Sequence, residues 1–174
     1  MPTTPQLATR LPPEDAGIRQ VWDAALAMNG IQSFGLAGFD DVKAKATTAF
    51  AALYQGVSHP MAAQVSRTLG AIGTVDAMRA TPYTPAGGAT YPKGNLGSTL
   101  SDLARVIKAK AGLTLATIDI GGWDMHTNEG RVDGGDLRTH LVDLDAALDA
   151  FATDLGAGFS DVTVVVLSEF GRTV

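Results

Sequence analysis

Residues 117–126 read Thr-Ile-Asp-Ile-Gly-Gly-Trp-Asp-Met-His, and residues 162–172 read Val-Thr-Val-Val-Val-Leu-Ser-Glu-Phe-Gly-Arg. The first stretch overlaps the end of an apolar, β-branched run at 113–120, and the second overlaps a similar run at 161–167. Runs of this kind are typical of buried strands. Between these runs, apolar residues recur at helical spacing and predict one long helix ended by Gly156. They are Leu137, Leu141, Leu144, Leu148, Phe151 and Leu155. Strand, helix and strand in this order predict a βαβ unit with two parallel strands.

The rest of the chain divides by composition. Residues 1–80 are predicted to be a helical segment, with apolar stripes at 18–26, 46–54 and 61–75 that would face a core. Residues 81–95 contain three prolines and three glycines and are predicted to be a linker or a long surface loop. Residues 96–174 form the α/β portion and begin with an amphipathic helix. The predicted fold class is therefore α/β, a partial parallel sheet with flanking helices, preceded by a helical segment.

Composition excludes several classes of function. The formal net charge of −5 argues against nucleic acid or an anionic membrane as the main partner. The chain has no cysteine, which excludes disulfides, thiolate catalysis and cysteine-type zinc sites. No apolar stretch approaches the roughly 18–20 residues that a membrane-spanning helix needs.

The polar residues at the two strand ends are the candidate site. Parallel sheets bind ligands beyond the carboxyl ends of their strands, so both ends are expected at one edge. Asp124 and His126 are two residues apart and would point to the same side of an extended backbone. Glu169 would add a further oxygen ligand. This set suits zinc, manganese, iron, calcium or magnesium. The alternative is that either residue only caps a turn or holds a hydrogen bond.

Other residues near the strand ends are predicted to complete the site. They are Asp119, Gly121, Gly122, Trp123, Ser168 and Arg172. The Arg172 guanidinium suits a phosphate, a sulfate or a carboxylate, although an ion pair with Glu169 is the alternative. A carboxylate inside a buried strand needs a partner, so Asp119 is expected to support the metal ligands. His140, in the long helix, is interpreted as an ordinary surface histidine.

The Gly-Gly-Trp-Asp-x-His and Ser-Glu-Phe-Gly-Arg motifs, with Tyr91-Pro92 before them, resemble the domain-of-unknown-function 1501 family. The resemblance covers residues 90–174 closely and the first eighty residues more weakly. Members are bacterial proteins, often with twin-arginine export signals, and the family is similar in outline to the alkaline phosphatase and sulfatase superfamily. The resemblance therefore implies an alkaline phosphatase-like sheet in a parent protein that is exported to the periplasm or the medium.

The resemblance also implies roles for the site residues. Asp124 and His126 look like the pair that binds one metal, zinc, manganese or calcium, and Glu169 like a ligand of a second metal. Glu169-Phe stands where the superfamily usually has Asp-His. Arg172 would lie near the oxyanion as the catalytic residue of this chain. A two-metal centre of this kind activates a nucleophile and stabilises in-line displacement at phosphorus or sulfur.

Two segments of the family are not found in the sequence: a strand ending in Gly-Gly-x-Asp-Gly and a downstream Thr-Asp-His-Gly. The chain is therefore expected to be a middle fragment of a hydrolase of phosphate or sulfate esters, inactive alone and lacking a central strand. Its expected partners are a small anionic ester and the remainder of the parent domain. The alternative is a non-enzymatic exported protein that uses the same fold for binding or assembly.

Overall fold

The computed structural model describes residues 29–36, 38–127 and 129–169. The described residues form α1 (Asp40–Tyr54), α2 (Pro60–Ala80), α3 (Asn95–Lys108) and α4 (Asp136–Leu155), followed by a 3-10 helix (Gly156–Asp161). No strand occurs in these ranges, and an isolated antiparallel bridge joins Arg131 and Gly134. The architecture of the described chain is therefore helical.

The predicted α/β fold class is wrong for this part of the chain. Residues 113–120 and 162–167 have no regular secondary structure, so the parallel sheet and the βαβ unit do not form. Seven large apolar side chains of these runs are exposed: Leu113, Leu115, Ile120, Val164, Val165, Val166 and Leu167. The propensity of β-branched residues for strands depends on packing within a sheet, and two strands alone are marginal in water. An apolar, β-branched composition was therefore not sufficient to produce a strand pair.

The two helices predicted after residue 95 are confirmed as α3 and α4. Their apolar stripes pack on each other because each helix concentrates its large side chains on one face. The buried centre of this core consists of Leu100, Ala104, Ala147, Phe151 and Leu155. Ile118 and Val162, one residue from each run that was predicted to be a strand, pack against this core and are partly buried. The core therefore fixes one point of each run without pairing them.

A smaller cluster joins the end of α2 to residues 29–36. Ile31, Val75 and Met78 are buried together. The Asp102 carboxylate accepts a hydrogen bond of 2.8 Å from the Ile31 N–H, and the Arg79 guanidinium donates one of 2.7 Å to the Phe34 carbonyl. These charge-assisted bonds hold an irregular segment against the helices.

The chain contains two compact units, one with the described residues 38–71 and the other with 29–36 and 72–169. In the first unit α1 forms as predicted, but its apolar stripe does not make a core, because Phe50 is 44% and Leu53 66% exposed. The helix predicted over 18–26 lies outside the described residues. Among the described helices, none combines the length and apolar character that crossing a bilayer requires.

Candidate functional site

A short loop carries the two predicted metal ligands and brings them together. The His126 Nε2 atom lies 3.0 Å from the Asp124 Oδ2 atom. A tight turn produces this approach, because the Met125 N–H donates a 3.0 Å hydrogen bond to the Trp123 carbonyl. Asp124 is 58% and His126 83% exposed. An exposed pair of this kind contributes little to stability, so its side chains are free to exchange their mutual contact for another ligand.

The separation of the two ligand atoms can be compared with that in metal sites. Adjacent ligands at about 2.1 Å from an octahedral ion are about 3.0 Å apart, and those of a tetrahedral ion about 3.4 Å apart. The observed 3.0 Å between Asp124 Oδ2 and His126 Nε2 equals the first value and is a few tenths of an ångström below the second. That separation is compatible with two adjacent positions around one cation, and it is also the ordinary length of the hydrogen bond that the two side chains share.

The described residues do not supply a larger set of ligands. No group of three or more His, Cys, Asp or Glu is placed there to hold an ion. Glu169 is exposed and does not join the pair in such a group. Arg172 lies outside the described residues. The assignments of Glu169 as a metal ligand and of Arg172 as the anion-binding group therefore stay predictions.

The structure also places the other predicted site residues. Asp119, Gly121 and Ser168 are exposed. The burial that was expected to require a partner for Asp119 is therefore absent. Gly122 has a φ of +91°, a conformation that residues with a side chain rarely adopt. The sharp turn expected of the two glycines is thus located at Gly122.

His140 contacts this loop, which the sequence interpretation missed. The centroids of the Trp123 and His140 rings are 5.4 Å apart, with an interplanar angle of 37°. A Cβ atom added to Gly122 would lie 3.0 Å from His140 Cε1, closer than side chains normally allow. A signal was available in the sequence, because His140 follows Leu137 by three residues and precedes Leu144 by four, and both leucines belong to the predicted apolar stripe. That spacing places it on the face of α4 that meets the core.

A second group of titratable side chains surrounds Asp154, which is 1% exposed. Its carboxylate accepts hydrogen bonds from the Tyr83 hydroxyl at 2.5 Å, the Tyr91 hydroxyl at 2.9 Å and the Ala86 N–H at 2.6 Å. The Lys108 ammonium forms an ion pair with the same carboxylate. Sequence analysis missed this cluster as well, because its members come from the 81–95 loop, α3 and α4.

The pKa values in this second group follow from its burial. Burial alone would raise the pKa of Asp154, but the hydrogen bonds from Lys108, Tyr83, Ala86 and Tyr91 together lower it below its ordinary value. Burial, and then the hydrogen bond to Asp154, raises the pKa of Tyr83 and Tyr91 well above the usual range. All four partners stabilise the charged carboxylate, so the Asp154 cluster is a satisfied structural network that fastens the 81–95 loop to α3 and α4.

The described chain is thus a helical core that displays an exposed Asp-x-His loop. The family described as a protein of unknown function, DUF1501, matches residues 9–174, and the chain belongs to that family. The resemblance inferred from the two motifs is therefore confirmed. The chain matches no curated protein and no solved structure.

Proposed function

We propose that this chain is part of a metal-dependent hydrolase of phosphate or sulfate esters in which Asp124 and His126 bind a divalent cation. The observation that carries the proposal is the 3.0 Å approach of Asp124 Oδ2 and His126 Nε2 on an exposed loop. The reaction class comes from the outline similarity of the 1501 family, which the Gly-Gly-Trp-Asp-x-His motif resembles, to the alkaline phosphatase and sulfatase superfamily. Family membership by itself gives no activity, since the family is defined as one of unknown function.

The residue types narrow the choice of cation. An imidazole nitrogen with a carboxylate oxygen suits zinc or manganese better than calcium, which prefers oxygen ligands. A bound cation of this kind supplies Lewis-acid chemistry and lowers the pKa of a water ligand. The high exposure of His126 leaves the loop open to a substrate. Under this proposal Glu169 adds a carboxylate, Arg172 binds the anionic ester, and the parent protein is exported.

Calorimetric titration of the chain with zinc, manganese and calcium tests the cation site. We expect binding of zinc or manganese that weakens at least tenfold in both Asp124→Ala and His126→Ala. Asp133→Ala and His59→Ala are matched controls, because they remove an exposed aspartate and a histidine that the proposal does not use. Absence of binding, or equal binding by the wild type and both site variants, would contradict the proposal.

A second candidate function is non-enzymatic binding or assembly by an exported protein. The exposed run Val165, Val166 and Leu167 favours it, because three adjacent large apolar side chains that are 61–87% exposed are typical of an interaction surface.

Hydrolysis of p-nitrophenyl phosphate and p-nitrophenyl sulfate separates the two candidate functions. Turnover of either ester by the protein, lost in Asp124→Ala, supports the hydrolase. Cation-loaded protein without turnover supports the binding function.

A further inference from the structure

The loop that carries Asp124 and His126 is fixed to the helical core on both sides. Before the loop, Ile118 packs against the core formed by α3 and α4. After it, the Leu137 N–H at the start of α4 donates a 3.2 Å hydrogen bond to the Glu129 carbonyl. The candidate ligands lie between these two points, where both side chains are mostly exposed. A contact within the loop, between these two anchors, could therefore set the position of the ligand pair.

His140 provides a contact at the middle of this loop. Its ring packs on Trp123, with the centroids 5.4 Å apart, and both residues are half-buried. The absence of a side chain at Gly122 lets the backbone pass directly beside the same imidazole. The Trp123 carbonyl then accepts the hydrogen bond from Met125 that forms the turn. A continuous series of contacts thus leads from α4 to the turn that brings Asp124 and His126 together.

We propose that His140 is a positioning residue that holds the Gly122-Trp123 backbone against α4 and thereby sets the geometry of the Asp124–His126 pair. This inference rests on the proposed cation site for its effect on affinity, whereas the packing of the loop is independent of any cation. An aromatic ring at position 140 is the essential feature, because the ring packs on Trp123 and lies where a side chain at position 122 would be. His140 is not a metal ligand in this proposal.

Three variants of the full chain test the inference in a Trp22→Phe background, which leaves Trp123 as the single tryptophan. His140→Ala removes the ring, and His140→Phe restores a ring without nitrogen. His59→Ala controls for the loss of a histidine elsewhere. We expect His140→Ala to bind zinc about tenfold more weakly, the lower end of the range for residues that orient metal ligands. We expect His140→Phe and His59→Ala to bind within about threefold of the background.

Trp123 emission and the ring chemical shifts of His126 report on the loop without any cation. In His140→Ala we expect emission at longer wavelength, stronger quenching by acrylamide and changed His126 shifts, all reversed in His140→Phe. If the background protein binds zinc and His140→Ala binds it equally well, the positioning role is wrong. If His140→Phe loses affinity as His140→Ala does, His140 acts through its nitrogen atoms and the inference is also wrong.

The two proposals fail separately. If no form of the chain binds a cation, the proposed function fails, and Trp123 emission with the His126 shifts decides the positioning role. Unchanged signals in His140→Ala then overturn the inference, whereas the expected changes support it. Circular dichroism of His140→Ala checks that α4 is retained, and Asp145→Asn, an exposed substitution on the same helix, provides the reference spectrum.

Discussion

Asp124 and Asp154 are both aspartates with polar partners, but they differ in burial and in how far away in the sequence their partners lie. Asp124 is exposed and contacts a residue two positions away in the sequence. Asp154 is buried, and its partners come from 46 to 71 positions away. A carboxylate in the first setting keeps its hydration and can exchange partners, whereas one in the second loses its hydration and depends on fixed partners.

The difference separates a candidate site from a structural network. The Asp154 carboxylate accepts four hydrogen bonds, so a ligand could enter only by displacing one of them. The Asp124–His126 pair has one mutual contact and open surroundings. Removing Asp154 should therefore affect folding, and removing Asp124 should affect binding. Three predictions test this contrast, from the largest expected effect to the smallest.

Replacing Asp154 by alanine should cause the largest loss of stability. The change leaves the hydroxyls of Tyr83 and Tyr91 and the Ala86 N–H without their acceptor. Breaking a buried ion pair costs about 3–5 kcal/mol, and we expect about 3 kcal/mol because Lys108 is 30% exposed and can reach water. Urea unfolding followed by circular dichroism measures the free energy of unfolding.

Two variants make this measurement specific. Asp149→Ala replaces an exposed aspartate on the same helix and should change the unfolding free energy by less than about 0.5 kcal/mol. Tyr91→Phe removes a single hydrogen bond and should cost about 1 kcal/mol. A loss of less than about 1 kcal/mol in Asp154→Ala would show that the cluster does not hold the 81–95 loop.

Acidification should also destabilise the Asp154 cluster, by less than the Asp154→Ala substitution does. The pKa of Asp154 is lower in the folded chain than its ordinary value, so its charged form stabilises the fold. This contribution is complete above the unfolded pKa, about 3.9, and is lost as pH falls through the folded pKa. Urea midpoints at pH 7, 4 and 3 should decline less steeply in Asp154→Asn than in the wild type. Parallel curves for the two proteins would contradict the prediction.

The sequence predicted the helical core because its signal repeats along the chain. The apolar residues of α3 and α4 recur every three or four positions, and this period records the burial of one face. The runs 113–120 and 161–167 gave an equally clear local signal for strands. A strand also needs a neighbour with which its backbone can form hydrogen bonds, and a single run of sequence carries no information about that neighbour.

In the candidate site, too, contacts between sequence neighbours were predictable and contacts between distant segments were not. Asp124 and His126 could be paired from the sequence because their proximity depends on one turn. The contact of His140 with Trp123 depends on how the loop lies on α4, and the Asp154 cluster on the packing of a loop and two helices. In a helical pattern, a polar residue on an apolar face such as Asp154 looks like an interruption of the stripe. Its partners became identifiable only in three dimensions.

Replacing Asp124 or His126 by alanine should have the smallest effect on folding. Both side chains are mostly exposed, and exposed ion pairs contribute about 0–1 kcal/mol. We therefore expect each variant to unfold within about 0.5 kcal/mol of the wild type in the presence of a chelator. Added zinc should raise the urea midpoint of the wild type and leave both variants unchanged, because a ligand that binds only the folded state stabilises it. A loss above about 1 kcal/mol in chelator would instead place Asp124 and His126 with Asp154, as residues that hold the structure together.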